Sequence, residues 1–277
     1  MRALPALIPT LLAVAALLAA CDGARPAVPT PSPAVTPAPT PPALLEAYVG
    51  GGPVEPAAPT PPHREGAYAN NDPSDDYVVG PPDELPDCEA HLAAAGVKYR
   101  TASLPVHEDR RNKMVCGAPQ VVIYSRGPGG ITYAPPPLLT CSMALALASF
   151  EKLVQEEAAR SFHSSIMRID QLGTYSCRVI AAYPGWISEH SYANAIDLAR
   201  FVLKNGVTVD VQRDFDMGAD PPRRPGGLFL RTISRRAYDE DVFSHVLTPF
   251  FNAAHRNHFH LDLARYRGDG TRPPDAT

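Results

Sequence analysis

The chain lacks any surplus of positive charge: Lys and Arg number 25 against 29 Asp and Glu, for a formal net charge of -4. A nucleic-acid backbone is gripped by releasing its counterions to clustered cations, so nucleic acid is not an expected partner. Cysteine is scarce, with five in 277 residues, and no two stand at the Cys-x2-Cys spacing. A thiolate-built zinc site is therefore not expected. Tryptophan occurs once, at Trp186. The apolar run at the start, about eighteen residues from Ala3 to Ala20, barely reaches the length of a bilayer-spanning helix and contains Pro5 and Pro9. What the chain has in excess is proline, 32 residues concentrated before residue 90. Two different materials are joined end to end.

The first material reads as an export signal followed by a tether. Met1-Arg2 gives a cationic start, and the apolar run ends in Leu18-Ala19-Ala20-Cys21, small residues directly before a cysteine. That pattern predicts a lipoprotein signal over 1–20, with Cys21 becoming the lipidated first residue and holding the protein to a membrane. Asp22 resembles an inner-membrane retention signal, so the expected location is the periplasmic side of the envelope. Residues 21–86 follow as a proline-rich tether, with repeats such as Thr36-Pro37-Ala38-Pro39-Thr40-Pro41-Pro42. Proline withholds donors and favours polyproline II. At about 3.1 Å per residue, some forty residues reach on the order of 120 Å.

A folded domain is expected over 87–268, with 269–277 as a tail. The four remaining cysteines, Cys88, Cys116, Cys141 and Cys177, are even in number in a chain assigned to an oxidising compartment, which predicts two disulfides. Three connectivities are possible. Cys88 with Cys116 and Cys141 with Cys177 is favoured, because it closes two separate local loops.

Periodicity predicts a helix over 141–160 opening at Thr140, and strands over 164–169 and 175–183. Further strands are expected over 194–202 and 207–212, divided by a Lys204-Asn205-Gly206 turn. A second helix is expected over 238–254 and a final strand over 257–263. This order gives an α+β domain, a small antiparallel sheet with flanking helices. Pro221 to Gly227 reads as a basic connector that either rims a cleft or is merely solvated.

The chemistry lies where two strands carry polar residues on one face. In Asn257-His258-Phe259-His260-Leu261-Asp262-Leu263 the period of two sends Phe259, Leu261 and Leu263 inward and His258, His260 and Asp262 to the other side. In Ala195-Ile196-Asp197-Leu198-Ala199 the inward residues are Ile196 and Leu198, and Asp197 stands between two alanines. His190 precedes Asp197 by seven residues, so a turn through Ser191 and Tyr192 could bring both to one ion. Two nitrogens and an oxygen with a fourth position open is how catalytic zinc is held. His190, Asp197 and His260 are thus the candidate Zn2+ ligands. His63, His91, His107, His163 and His245 have no partner at ligand spacing and read as surface or packing residues, and Trp186 as core.

Ser188-Glu189-His190-Ser191-Tyr192-Ala193-Asn194-Ala195-Ile196-Asp197 resembles the Ser-x-His-x-x-Gly-x-Ala-x-Asp signature of the LAS zinc peptidases, the D-Ala-D-Ala carboxypeptidases and murein endopeptidases. Only the glycine differs, replaced by Ala193. His258-Phe259-His260 is similar to their second motif. The span from about Cys88 to Asp262, with Thr140-Cys141, Tyr175-Ser176-Cys177-Arg178 and His255-Arg256-Asn257-His258-Phe259-His260, resembles the bacterial extensin-like C-terminal domain family.

The resemblance implies a Hedgehog/DD-peptidase-like fold and a zinc peptidase or amidase acting on peptidoglycan stem peptides or cross-links. It implies the same three ligands, His258 as general base and His255 as an additional active-site histidine. From the residues alone, His255 reads equally as a histidine favourable to a helix C-terminus. Arg178 is a candidate for a substrate carboxylate or oxyanion, or a plain surface arginine. Many relatives place a glutamate base where this chain has Asn257, which cannot accept a proton. The alternative function is therefore a non-catalytic zinc domain that binds wall peptides or a partner.

Overall fold

The computed structural model describes residues 80–110, 114–180 and 186–273. The expected signal, Cys21, most of the tether and His63 lie outside these residues. Helix α1 (Cys88–Ala94) leads into two long strands, β1 (Lys98–Asp109) and β2 (Met114–Arg126), and then two short ones, β3 (Thr132–Ala134) and β4 (Leu138–Thr140). Helix α2 (Cys141–Phe162) starts where expected: the Thr140 hydroxyl accepts the Met143 N–H, supplying an orphan donor of the first turn with a partner. Strand β5 (Ile166–Gly173) follows, then a 3-10 turn over Glu189–Tyr192, β6 (Ala195–Leu203), β7 (Thr208–Asp210), α3 (Val211–Asp214) and α4 (Pro225–Asp239). The chain ends through β8 (His245–Leu247), a 3-10 turn over Ala253–His255, β9 (Phe259–Asp262) and β10 (Gly268–Gly270). Among the described residues no helix is long and apolar enough to cross a membrane.

The class is α+β. One sheet has three antiparallel strands in the order β1-β2-β4, and the other has seven, β10-β8-β9-β6-β5-β3 with β7 also on β6. The larger sheet is mixed rather than purely antiparallel, because β10 pairs β8 and β3 pairs β5 in parallel. Helices α2 and α4 cover it. Phe229 of α4 packs edge-on against Phe201 of β6 and against Phe162 of α2, and Phe150 of α2 packs edge-on against Phe243, just before β8. Inward residues of β6 and β9, Ile196, Leu198, Phe259 and Leu261, are fully buried there. Alternation then leaves Asp197 and His260 on the opposite face.

Several expectations are corrected. Segment 175–183 is not a strand in its described part, which ends at residue 180. Its backbone groups bond to the turn over Glu189–Tyr192 and the residues before it: Ser176 N–H to His190 O, Ser188 N–H to Arg178 O and Ile180 N–H to Trp186 O. The helix expected over 238–254 is displaced upstream to α4, whose Pro225 occupies the first turn, where a missing N–H costs nothing. Gly227 must be glycine there, since a Cβ would stand 2.8 Å from the Asp214 carbonyl oxygen. Val207 to Gln212 divides into β7 and the start of α3. Residue 268 is not the domain's end, because β10 and the buried Thr271 lie beyond it.

The disulfides cross the expected pairing: Cys88 is bonded to Cys141 and Cys116 to Cys177. Preference for short loops is a weak guide, because doubling a loop costs only about 0.6 kcal/mol. Tertiary placement decides instead. The first bridge joins the starts of α1 and α2, and the second ties β2 to the segment that clamps the 3-10 turn at His190.

Candidate metal centre

Three elements converge on one point. The turn over Glu189–Tyr192 presents His190, 2% exposed. Strand β6 presents Asp197, and β9 presents His260 directly opposite, as the register pairs Asp197 with His260. His190 Nε2 stands 3.1 Å from His260 Nδ1 and 3.3 Å from Asp197 Oδ1, and His260 Nδ1 stands 3.1 Å from the same oxygen. Donors about 2.0–2.1 Å from a tetrahedral ion lie roughly 3.3 Å from one another. The triangle therefore has the dimensions of one face of such a tetrahedron. It is the one group of three among the described residues that could hold a metal ion.

The turn is built to hold His190. Ser191, fully buried, accepts the Arg178 N–H at 3.0 Å, and its own hydrogen reaches the Arg178 or Ser176 carbonyl. Ala193 has φ 54, the left-handed conformation that favours glycine. Asn194 then staples the turn. Its amide donates to Glu189 Oε2 at 2.7 Å and to the Leu263 carbonyl at 3.1 Å, and its oxygen accepts the Thr140 hydroxyl at 3.0 Å. The cap of α2 and the end of β9 are thereby joined to the loop between the first two donors.

Behind the triangle stands a second layer that sequence reasoning missed. His260 donates from Nε2 to Asp262 Oδ2 at 2.8 Å, which leaves its Nδ1 facing Asp197. Asp262 Oδ1 accepts from His245 Nδ1 at 2.8 Å and from the Ala264 N–H. His245, expected as a mere packing residue, is thus an outer partner of the centre. A carboxylate behind a ligating histidine fixes its ring and raises its basicity. The signal available was that Asp262 shares the face of His260. The partner His245 stood too far along the chain to be paired by spacing.

Electrostatics follows this layout. Burial opposes the charge of Asp197, but hydrogen bonds from His190 and His260 hold its carboxyl well below the usual carboxylate range. Burial likewise opposes the charged form of His260, yet Asp197 and Asp262 on its two sides push it up to about 10. Glu189 is pushed up to about 7 by burial and by the Asp262 charge.

His258 and His255 line the same place. His258 Nε2 is 3.5 Å from Asp197 Oδ1, and the His255 ring lies 5.3 Å from His258 and 5.8 Å from His260. Burial pulls His258 down, aided by the positive fields of His260, His190 and Arg178. Burial and its neighbouring histidines pull His255 down to about 4. Both shifts favour the neutral ring over the imidazolium. Arg178 is exposed and close enough for its charge to act on both. Trp186 is half-buried rather than core, edge-on to Tyr266, which in turn stands against His245. His91, His107 and His163 are exposed.

The fold and this cluster define an α+β domain carrying two histidines and one carboxylate at metal-donor spacing. Residues 86–272 match the family described as Extensin-like protein C-terminus, and the chain belongs to that family. Neither a curated protein nor a solved structure matches it.

Proposed function

We propose that the domain is a zinc-dependent peptidase or amidase of the LAS type, acting on peptidoglycan stem peptides or their cross-links. The observation that carries this reading is the triangle of His190, Asp197 and His260, with His258 Nε2 beside it at 3.5 Å from Asp197 Oδ1. Its support from sequence is the similarity of Ser188 to Asp197 and of His258-Phe259-His260 to the LAS motifs. His190, Asp197 and His260 would hold the ion. When bound there, zinc would supply a Lewis acid for a carbonyl oxygen and acidify water. His258 accepts a proton at Nε2, its Nδ1 being committed to Asn257 Oδ1 at 2.8 Å. In this reading His255 would return a proton to the leaving amine, and Arg178 would bind a substrate carboxylate or oxyanion.

The place of action we propose is the periplasmic side of the envelope, with Cys21 lipidated and the tether carrying the domain toward the wall. The two disulfides accord with an oxidising compartment. One observation favours a second reading, a wall-binding or partner-binding zinc domain that does not cut: Asn257 stands where many relatives place a glutamate base. Incubating zinc-loaded protein with purified peptidoglycan and assaying new amines separates the two. The peptidase reading expects release by the wild type and a loss of at least a hundredfold in His258→Ala. Binding to peptidoglycan with no amine released by either protein would overturn it.

A further inference from the structure

We infer that Asn252 and Asn257 are positioning residues that set which ring nitrogen carries the proton in His255 and His258, leaving the Nε2 lone pair of each histidine free. The inference rests on the proposed function only for its catalytic consequence.

Each asparagine meets its histidine in the same way. Asn252 Oδ1 stands 2.8 Å from His255 Nδ1, and Asn257 Oδ1 stands 2.8 Å from His258 Nδ1. For Asn252 the identity of the accepting atom is fixed independently. The Ala254 backbone N–H, which can only donate, reaches the same atom at 2.9 Å as the cap of the 3-10 turn. Because that atom is the carbonyl oxygen, the His255 nitrogen beside it must bear the hydrogen. The Asn257 contact has the same length and atom types; with its carboxamide turned as at Asn252, oxygen toward the ring, the His258 nitrogen beside it bears the hydrogen as well. His258 Nε2, 3.5 Å from Asp197 Oδ1 and beyond an ordinary hydrogen bond to it, then keeps its lone pair for a proton from another donor.

Neutral imidazole in water prefers its hydrogen on Nε2, so both carboxamides reverse the intrinsic preference. They do so without adding charge. A carboxylate in either place would also orient the ring, but it would stabilise the imidazolium and hold the proton that a base must later pass on. The local fold supplies both contacts within one short segment. Asn252 caps the 3-10 turn, His255 N–H donates to the Asn252 carbonyl, and His258 N–H bonds back to the His255 carbonyl. Asn257 thus has a use at the position where a glutamate base is missing: it makes His258 available there.

The test uses full-length zinc-loaded protein labelled with 15N at histidine, read by long-range 1H–15N correlations near pH 8. His255 and His258 are assigned from His255→Ala and His258→Ala. Both are expected as Nδ1–H forms. Asn257→Ala should shift His258 toward the Nε2–H form while Asn257→Asp, which keeps the acceptor, should not, and the same pair at Asn252 should act on His255. Zinc stoichiometry should stay unchanged in Asn257→Ala while peptidoglycan hydrolysis falls by about tenfold or more in kcat. An Nε2–H form in the wild type, or no shift in Asn257→Ala, overturns the inference. Asn257 is not a cap, so its variant stays informative if the Asn252 variants fold poorly. The expected forms without hydrolysis by the wild type uphold the inference and overturn the peptidase reading instead.

Discussion

Asp262 Oδ2 accepts the Nε2–H of His260 at 2.8 Å, and that one bond decides which edge of the imidazole meets Asp197. Asp262 is itself 4% exposed and held by His245 and the Ala264 N–H. A donor whose ring is fixed in advance loses less freedom on taking up an ion. Asp262→Asn keeps the shape but removes the charge and one acceptor. It should weaken zinc binding by about 10–100-fold, measured by competition with a chromogenic chelator, with the fold retained by circular dichroism.

Ala193 offers a test of backbone demand. Its φ of 54 costs about 1–2 kcal/mol for a residue with a Cβ. Against that, its methyl is fully buried beside Ala118 and Val121, which is worth about 0.8 kcal/mol. Ala193→Gly should therefore change the unfolding free energy by less than about 1 kcal/mol in urea titrations. Ala193→Val adds β-branching to the same conformation in a packed place, and should cost about 3 kcal/mol or more.

Much of this centre was legible because its donors sit on elements with clear periods. In β6 and β9 strict alternation separates Ile196, Leu198, Phe259 and Leu261 from Asp197 and His260, so the shared face could be read without coordinates. Thr140 before an Ala- and Leu-rich run announced α2. The hairpin of β1 and β2 was invisible for a physical reason. Its register shifts near Ala102, Leu104 and His107, and Pro105 interrupts it, so no period survives. Helix α4 hid behind Pro225-Gly226-Gly227, which reads as a turn. The supporting contacts were hidden in another way: Asn194 with Thr140 and Leu263, and His245 with Asp262, join residues that only the folded sheet brings together.

The two disulfides should separate into different roles. Each closes a loop of 50 to 65 residues, so on the chain-entropy account removal of either costs about 4 kcal/mol. Cys177, however, precedes Arg178 and follows Ser176, whose backbone groups clamp Ser191 and His190. The Cys116→Ala/Cys177→Ala protein should lose zinc affinity as well as stability. The Cys88→Ala/Cys141→Ala protein should lose stability alone. Denaturant unfolding and chelator competition on both proteins check this, and a non-reducing peptide map checks the pairing itself.

Stability should also carry a pH dependence unrelated to the centre, from Glu151 on α2. Its carboxyl is fully buried, accepting the Tyr124 hydroxyl and the Gly129 N–H at 2.9 Å each. Desolvation pushes it up to about 7, against the lowering effect of those hydrogen bonds. The folded state therefore binds a proton more tightly than the unfolded chain, where a glutamate titrates near 4.3. The stabilising contribution is complete below about pH 4 and is lost as pH rises through 7, at up to about 1.4 kcal/mol per pH unit inside that window. Glu151→Gln cannot titrate, so its unfolding free energy should vary less between pH 5 and 8 than that of the wild type. Equal slopes in the two proteins over that range, measured by urea unfolding, would assign the dependence to other groups and return Glu151 to an ordinary ionised carboxylate.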